Sequence, residues 1–291
     1  MSKVTLICPL RNEEDNLQDL FNSILEQTKK PDEIIFIEDS STDGTFEVLK
    51  RFSKSRKNVK VFQVNNKNIS KNKNFAIKKS KGDIIFSIDA GCAFSKDYIE
   101  KMMVPFEDKN VVFAGGISKL LPKTLFEKCF ASFVIKKKLP KDYLPKGHAM
   151  AFRKSLWGKV GGFPEHLARG AEDTYFGKAT KRIGVKPAIV REAVVYWENR
   201  SSLKNVFRQF GSYGYWDGKA FSFWELPRRS KLAIFISVLF PIAILHSMYR
   251  GIGLMIEFRS VLVFFYGVGI GLAKLYGYFF GLIGIIKVEL R

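Results

Sequence analysis

Apolar positions over residues 1–116 alternate between two periods. Short β-branched runs at Val4 to Cys8, Glu33 to Ile37, Val59 to Val64, Ile84 to Ile88 and Val111 to Gly115 read as strands. Between them the spacing lengthens to that of helices. The clearest helix places Leu17, Leu20, Phe21, Ile24 and Leu25 on one face, with Asn12 in position to cap it and Glu13, Glu14 and Asp15 at its positive end. Strands and helices in alternation predict an α/β fold, a mostly parallel sheet flanked by helices, because parallel neighbours need right-handed crossovers that lay helices on the sheet. Ligands of such sheets bind beyond the carboxyl ends of the strands. Asp39 follows the second run and Asp89 the fourth, so both carboxylates are expected on one rim.

From Ile117 to Ala220 the strand signal weakens and Gly, Pro and aromatic residues become frequent, as in a region built around loops. A helix from about Ser201 to Tyr215 puts Leu203, Val206, Phe207 and Phe210 on one side. The cluster Trp216, Phe221, Phe223 and Trp224 suits a membrane interface and a helix packed on the domain equally well, and both readings stand.

After Pro227 the pattern changes again. Leu232 to Tyr249 is about 18 residues without formal charge, and Val261 to Ile286 is broken only by Lys274. Both are long enough to cross a hydrocarbon core of roughly 30 Å. The expected organisation is two halves of one domain, 1–116 and 117–227, followed by a transmembrane helical hairpin in 228–291 with spans at about 232–249 and 261–286. Gly267 with Gly271 and Gly277 with Gly281 are small-xxx-small pairs that let another helix approach. Arg228, Arg229, Lys231, Lys287 and Arg291 place both ends of the hairpin in the cytoplasm, although Arg250 and Arg259 in its loop weaken that signal. Pro241, His246 and Lys274 sit poorly in lipid, which keeps re-entrant or interfacial helices as the alternative.

Charge narrows the class. Lys and Arg number 48 against 28 Asp and Glu, a formal net charge of +20, which favours phosphates, anionic headgroups or nucleic acid as partners. The stretch Lys50 to Lys81 holds no acid at all, so an anion is expected on that side. No DNA- or RNA-binding module is readable, and aromatic residues do not interleave with basic ones as in stacking platforms, so nucleic acid is disfavoured. Three scattered cysteines, Cys8, Cys92 and Cys129, support neither a disulfide framework nor a zinc site. A polar start running directly into a strand leaves no room for a signal peptide, and the folded part is expected in the cytoplasm.

The chemistry lies in five motifs: CPLRNEEDNL (Cys8 to Leu17), EDSSTDGT (Glu38 to Thr45), KGDIIFSIDAG (Lys81 to Gly91), GGFPE (Gly161 to Glu165) and GAED (Gly170 to Asp173). In this order they resemble the family 2 glycosyltransferases, membrane-anchored members included, from about Val4 to Ala220. The resemblance implies a GT-A fold and inverting transfer of a sugar from a UDP- or GDP-sugar to an acceptor hydroxyl, and the charged ends of the hairpin put that transfer at the cytoplasmic face of the cell membrane. It implies Pro9, Arg11, Glu13 and Asp39 as nucleoside contacts, and Lys73 and Asn74 as the counterpart of an Arg-Asn pair on the donor. Asp43 reads as a turn or cap residue.

Asp89 aligns with the first acid of the family's DxD motif, which binds donor ribose and, through Mg²⁺ or Mn²⁺, the diphosphate. Here the motif reads Asp89-Ala90-Gly91, so the second acid is missing; either Asp89, phosphates and waters suffice for the metal, aided by His148, or positive side chains take its place. Asp173 matches the catalytic base, with Glu172 beside it; helix capping explains the same acids, and both roles are compatible. A polymer-making Gln-x-x-Arg-Trp signature is absent, since Gln209 is followed by Phe210, Gly211, Ser212 and Tyr213, which favours single transfer over processive synthesis. The apolar tail makes a lipid or lipid-linked acceptor the expectation. A dinucleotide-dependent oxidoreductase is disfavoured because no GxGxxG loop follows the first strand. The rival is a non-catalytic protein of the same fold that binds a sugar nucleotide or a membrane partner, motivated by Gly91.

Overall fold

The computed structural model describes residues 2–135, 139–140, 142–197, 200–220 and 240–283. The chain forms two compact units, one from Met1–Lys119 with Pro140–Glu198 and one from Leu120–Leu139 with Asn199–Arg291. The expected half 117–227 is therefore divided between the two units. Segment 120–139 and the helix at 203–220 go with the C-terminal helices, for reasons visible in their contacts below.

The first unit is built on β1 (Val4–Leu10), β2 (Glu33–Asp39), β3 (Val59–Val64), β4 (Ile84–Ser87), β5 (Cys92–Phe94), β6 (Phe113–Leu120), β7 (Met150–Arg153) and β8 (Ala188–Trp197). They form one sheet in the order β3-β2-β1-β4-β7-β6-β8-β5. Pairing is parallel from β3 through β4, and antiparallel for β4 with β7, β6 with β7 and β5 with β8. Every residue of β1 and β2 is buried, which is why they read as continuous apolar runs.

Alternate side chains serve two cores. Leu6, Cys8, Ile34, Phe36 and Phe86 pack with Leu17, Leu20, Phe21 and Ile24 of α1 (Leu17–Leu25) and Leu49 and Phe52 of α2 (Thr45–Lys54). Ile7, Ile35, Ile37 and Ile85 pack on the other face with Ala76 and Ile77 of α3 (Ile69–Lys79), together with Phe163 and Phe176. Two short helices, α4 (Tyr98–Met103) and α6 (Lys154–Lys159), and α7 (Glu172–Arg182) complete this unit. The three cysteines are buried and free.

Asn12 does not cap α1. Its backbone is left-handed at φ 53, and its Oδ1 accepts the Thr42 N–H at 2.8 Å while its own N–H donates to Ser41 Oγ at 3.0 Å. Asp43 belongs to the turn just before the N-cap Gly44 of α2 and accepts from the Thr45 N–H and hydroxyl.

The second unit contains α5 (Leu125–Val134), α8 (Leu203–Ala220), α9 (Phe240–Phe258) and α10 (Val261–Leu282). The two glycine pairs serve two different neighbours. A Cβ at Gly277 or Gly281 would run into the carbonyls of Phe207 and Gly211 on α8, and one at Gly267 or Gly271 into Gly251 and Ser247 on α9. Only hydrogen at these positions permits the close approach.

Helix α9 continues through Arg250, which was expected in a loop, and the chain reverses at Arg259, left-handed at φ 51. The reason lies in α5. Arg250 donates to the Ser132 carbonyl at 3.3 Å with its guanidinium over the Phe133 ring, and Lys274 donates to the Phe133 carbonyl at 3.3 Å. These are last-turn carbonyls that no helix satisfies internally, at the end where cations are favoured.

Among the described residues α10 is the one helix long and apolar enough to cross a membrane. Residues 232–239 and 284–286, the aromatics Phe221, Phe223 and Trp224, and Arg228, Arg229, Lys231, Lys287 and Arg291 lie outside the described residues.

Candidate functional site

Strand β2 ends at Asp39, whose side chain falls on the α3 face after Ile35 and Ile37. Asp39 is buried and bonded on both oxygens. Oδ1 accepts the N–H groups of Asn66 and Lys67 at 2.9 Å each, and Oδ2 accepts the Asn68 N–H at 3.1 Å and Asn72 Nδ2 at 2.7 Å. The carboxylate thus folds the connection into α3, with Lys67 held left-handed at φ 48. The residue after Asn72 is Lys73.

Lys73 is fully buried and donates to Glu172 Oε1 at 2.7 Å. Burial pulls its ammonium down, but Glu172, Asp89 and Asp173 more than offset this and hold it above the usual lysine value. Burial pushes the Glu172 carboxyl up, against the pull of Lys73. Asp173 follows in the first turn of α7 and is half-buried. Its Oδ2 accepts the Gly147 N–H at 2.9 Å and its Oδ1 the Thr174 N–H at 2.6 Å. The turn at Gly147 also carries His148, which leads to Asp89: His148 Nδ1 stands 3.6 Å from Asp89 Oδ2. Asp89, Glu172 and Asp173 therefore gather around one buried lysine and one turn. Burial raises the Asp89 carboxyl, and the His148 ring and Lys73 ammonium reverse that to a net lowering.

Asn74, one residue beyond Lys73, is engaged inside the protein. Its Oδ1 accepts the Phe163 N–H and Trp157 Nε1, and its Nδ2 donates to the Phe163 carbonyl and Glu165 Oε1, all between 2.9 and 3.0 Å. The GGFPE motif is the loop it holds, with Gly161 and Gly162 left-handed at φ 78 and 82. Pro9 is buried in β1 opposite Ile37. Arg11 is half-buried, and its Nε is buried without a hydrogen-bond partner. Glu13 accepts from Asn16 Nδ2 at 2.7 Å.

The anion expected near Lys50 to Lys81 meets a divided surface. Of the cations in that run only Lys73 is buried. Lys60 pairs with Glu33, the first residue of β2, and Glu33 also accepts the Lys81 N–H. Lys54 and Lys79 end α2 and α3. These cations lie toward the strand N-termini, away from the acidic rim, and Lys67 and Lys71 stand at the rim itself.

Several members had no signature in the sequence: the Gly147 amide, Asn72, Ser118, whose hydroxyl lies 2.7 Å from His148 Nε2, and Trp197, stacked on the His148 ring at 6.1 Å. Tyr143 is another, its phenol pushed up to about 12 by burial and by Asp173. Among the described residues no three His, Cys, Asp or Glu form a metal-binding group. Asp89 and His148 nonetheless fit a hard divalent cation that takes its other ligands from phosphates and water. His148 Nδ1 faces Asp89 Oδ2 at 3.6 Å, and in the tautomer that gives Nε2–H to the Ser118 hydroxyl this nitrogen would be free to ligate such an ion. Gly91 leaves open space where the second acid would stand, with nothing within 4 Å of an added Cβ.

Known proteins are similar to this chain in sequence and in fold. The chain is 26% identical over 185 residues to glycosyltransferase AglE of Haloferax volcanii, a match covering 61% of each chain. It thus spans about three fifths of that relative's length. It is 24% identical over 229 residues to the O-antigen chain rhamnosyltransferase RfbN of Salmonella typhimurium, covering 73% of this chain and 71% of that one. In fold it is similar to the mannosyltransferase PcManGT of Pyrobaculum calidifontis, solved with GDP-Man and Mn²⁺, at TM-score 0.62 and 17% identity over 94% of this chain and 87% of that one. The sequence profile of Glycosyl transferase family 2 matches residues 5–152, half of the protein, and the chain belongs to that family.

Proposed function

We propose that the protein is an inverting glycosyltransferase that moves one sugar from a UDP- or GDP-sugar to an acceptor hydroxyl at the cytoplasmic face of a membrane. The observation that carries this reading is the gathering of Asp89 and Asp173 around Lys73 and the Gly147-His148 turn. Asp173 is the base. The amides of Gly147 and Thr174 fix its carboxylate in orientation, and Oδ2, which accepts the Gly147 N–H alone, keeps a lone pair for the acceptor proton. A base so held is typically worth about 10²–10⁴ in rate.

Pro9, Arg11 and Glu13 line the first-strand turn at the nucleoside end, and Asp89 faces the ribose and diphosphate. Asp39 acts there through the Asn66 to Asn68 backbone that it shapes. Asp89 and His148 are the residues that would hold Mg²⁺ or Mn²⁺, and the ion would neutralise charge on the departing diphosphate. The length and composition of α10 support attachment to a membrane, and the O-antigen relative supports an acceptor in a cell-envelope glycan, lipid-linked by that reading.

The test is a panel of UDP- and GDP-sugars turned over by the full chain in detergent, with and without Mn²⁺, for the native protein and Asp173→Asn. Transfer or donor hydrolysis is expected to collapse in the variant while nucleotide binding persists. Equal rates in the two proteins would refute the base assignment. Nucleotide binding by a native chain that turns over no donor would favour the non-catalytic alternative.

A further inference from the structure

The family resemblance makes Lys73 a donor contact, but its surroundings assign it other work. The ammonium is fully buried and bonded to Glu172, and it lies 5.3 Å from the centre of the Phe163 ring. Reaching a donor would mean leaving a buried carboxylate unpaired, which is strongly unfavourable.

The entrance to α7 has no cap of the usual kind. No side chain caps the helix, and the residue before it, Ala171, is left-handed at φ 61, a conformation that persists only where the surroundings impose it. Glu172 is the first helical residue and Asp173 the second. Gly147, which donates to Asp173, also lies against Lys73: a Cβ there would stand 3.2 Å from Lys73 Nζ and 3.4 Å from Asp173 Cβ. Helix α3 is a firm platform for this contact. Asp39 holds its approach, and Asn68, Ser70 and Asn74 donate to the carbonyls of Glu165, Leu167 and Phe163 in the loop that leads to α7.

We propose that Lys73 is a positioning residue for the base: by holding Glu172 it fixes the first turn of α7, and with it the direction of the Asp173 carboxylate, without contacting the donor. This rests on the glycosyl-transfer reading above.

The experiment compares Lys73→Met, Glu172→Gln and the double variant with the native chain in detergent. It measures kcat and KM with the preferred sugar nucleotide, UDP and GDP binding by calorimetry, and melting temperature. Lys73→Met is expected to lower kcat by about 10²-fold, the cost of a small displacement of a reacting group. Nucleotide Kd should stay within about threefold, as for a group that adds no ground-state binding. Because removing both buried charges costs less than removing one, the double variant should regain melting temperature relative to Lys73→Met, and its kcat should fall no further than that of Lys73→Met, since both side chains act through one contact.

A variant that binds nucleotide tenfold or more weakly while keeping kcat at saturation would make Lys73 a donor contact and overturn the proposal. So would losses of kcat that multiply in the double variant, since the lysine would then act other than through Glu172. A native chain that turns over no sugar nucleotide removes both the activity reading and this role. A failed variant pattern in an active enzyme removes this role alone.

Discussion

Replacing Asn74 by Ala separates a framework role from donor contact, because this side chain has four bonds and all of them end inside the protein. Two go to the backbone of Phe163, which is 2% exposed, one to the Trp157 indole and one to Glu165. Truncation leaves the Phe163 N–H and carbonyl buried without partners, at about 1–3 kcal/mol each, so the expected loss is roughly 2–6 kcal/mol. That is a large part of the ~5–15 kcal/mol that holds a typical domain. Asn74→Asp is the sharper variant. It keeps the two accepted bonds but sets a carboxylate against the Phe163 carbonyl and Glu165, so at neutral pH it should lose at least as much. The assay is urea unfolding in detergent followed by tryptophan emission, with nucleotide affinity measured on the folded fraction. Both variants unfolding at native urea concentrations while binding UDP or GDP tenfold more weakly would refute the framework role and make Asn74 a donor contact.

Two further outcomes follow from the geometry. Burial raises the Glu33 carboxyl, but Lys60, the Lys81 N–H and the Thr5 hydroxyl outweigh it and leave a folded value below the ordinary 4.5. Its stabilisation is thus present above the ordinary value and lost as pH falls through the lowered one. Glu33→Gln should be less stable than native in urea at pH 7, with the gap narrowing as the solution is acidified below 4.5; a gap that does not change with pH would contradict this. In the helical unit, a Cβ at Gly281 overlaps the Gly211 carbonyl of α8, whereas one at Gly253 meets nothing within 4 Å. Gly281→Ala should therefore lower the melting temperature through overpacking worth about 1–3 kcal/mol, and Gly253→Ala should leave it unchanged or raise it, for the helix propensity of Ala exceeds that of Gly by up to ~1 kcal/mol.

How much of this was legible depends on where each signal resides. The parallel half of the sheet could be read because β1, β2 and β4 are buried on both faces, and such strands write themselves as unbroken apolar runs. Strands β5 and β7 are only three and four residues long, and β8 breaks its pattern with exposed Arg191 and Glu192. No period survives in such pieces. In the second unit, Arg250 read as a loop residue and Lys274 as ill suited to lipid because their partners, the carbonyls of Ser132 and Phe133, lie more than a hundred residues away in α5. The glycine spacing in α10 announced close packing, but only coordinates divide it between α8 and α9.

At the site the motifs named the acids but not what organises them. Gly147 contributes an amide, and a backbone donor leaves no side-chain signature. The pairing of Lys73 with Glu172 joins residues 99 positions apart, and Lys73 read alone looks like one more cation in a basic run. Coordinates show that α3 carries the connection. Its approach is fastened to Asp39 at the end of β2, its inner face grips the Gly161 to Leu167 loop, and its lysine reaches the first turn of α7. Asp39, proposed for the nucleoside end, and Asp173, proposed as base, are thus linked through α3, which buried hydrogen bonds fasten at Asp39 and at Glu172. A shift of the Asn66 to Asn68 backbone has a short physical route through α3 to Asp173, while Asp89, just past β4, and His148, just before β7, reach the same lysine by charge and by the Gly147 turn.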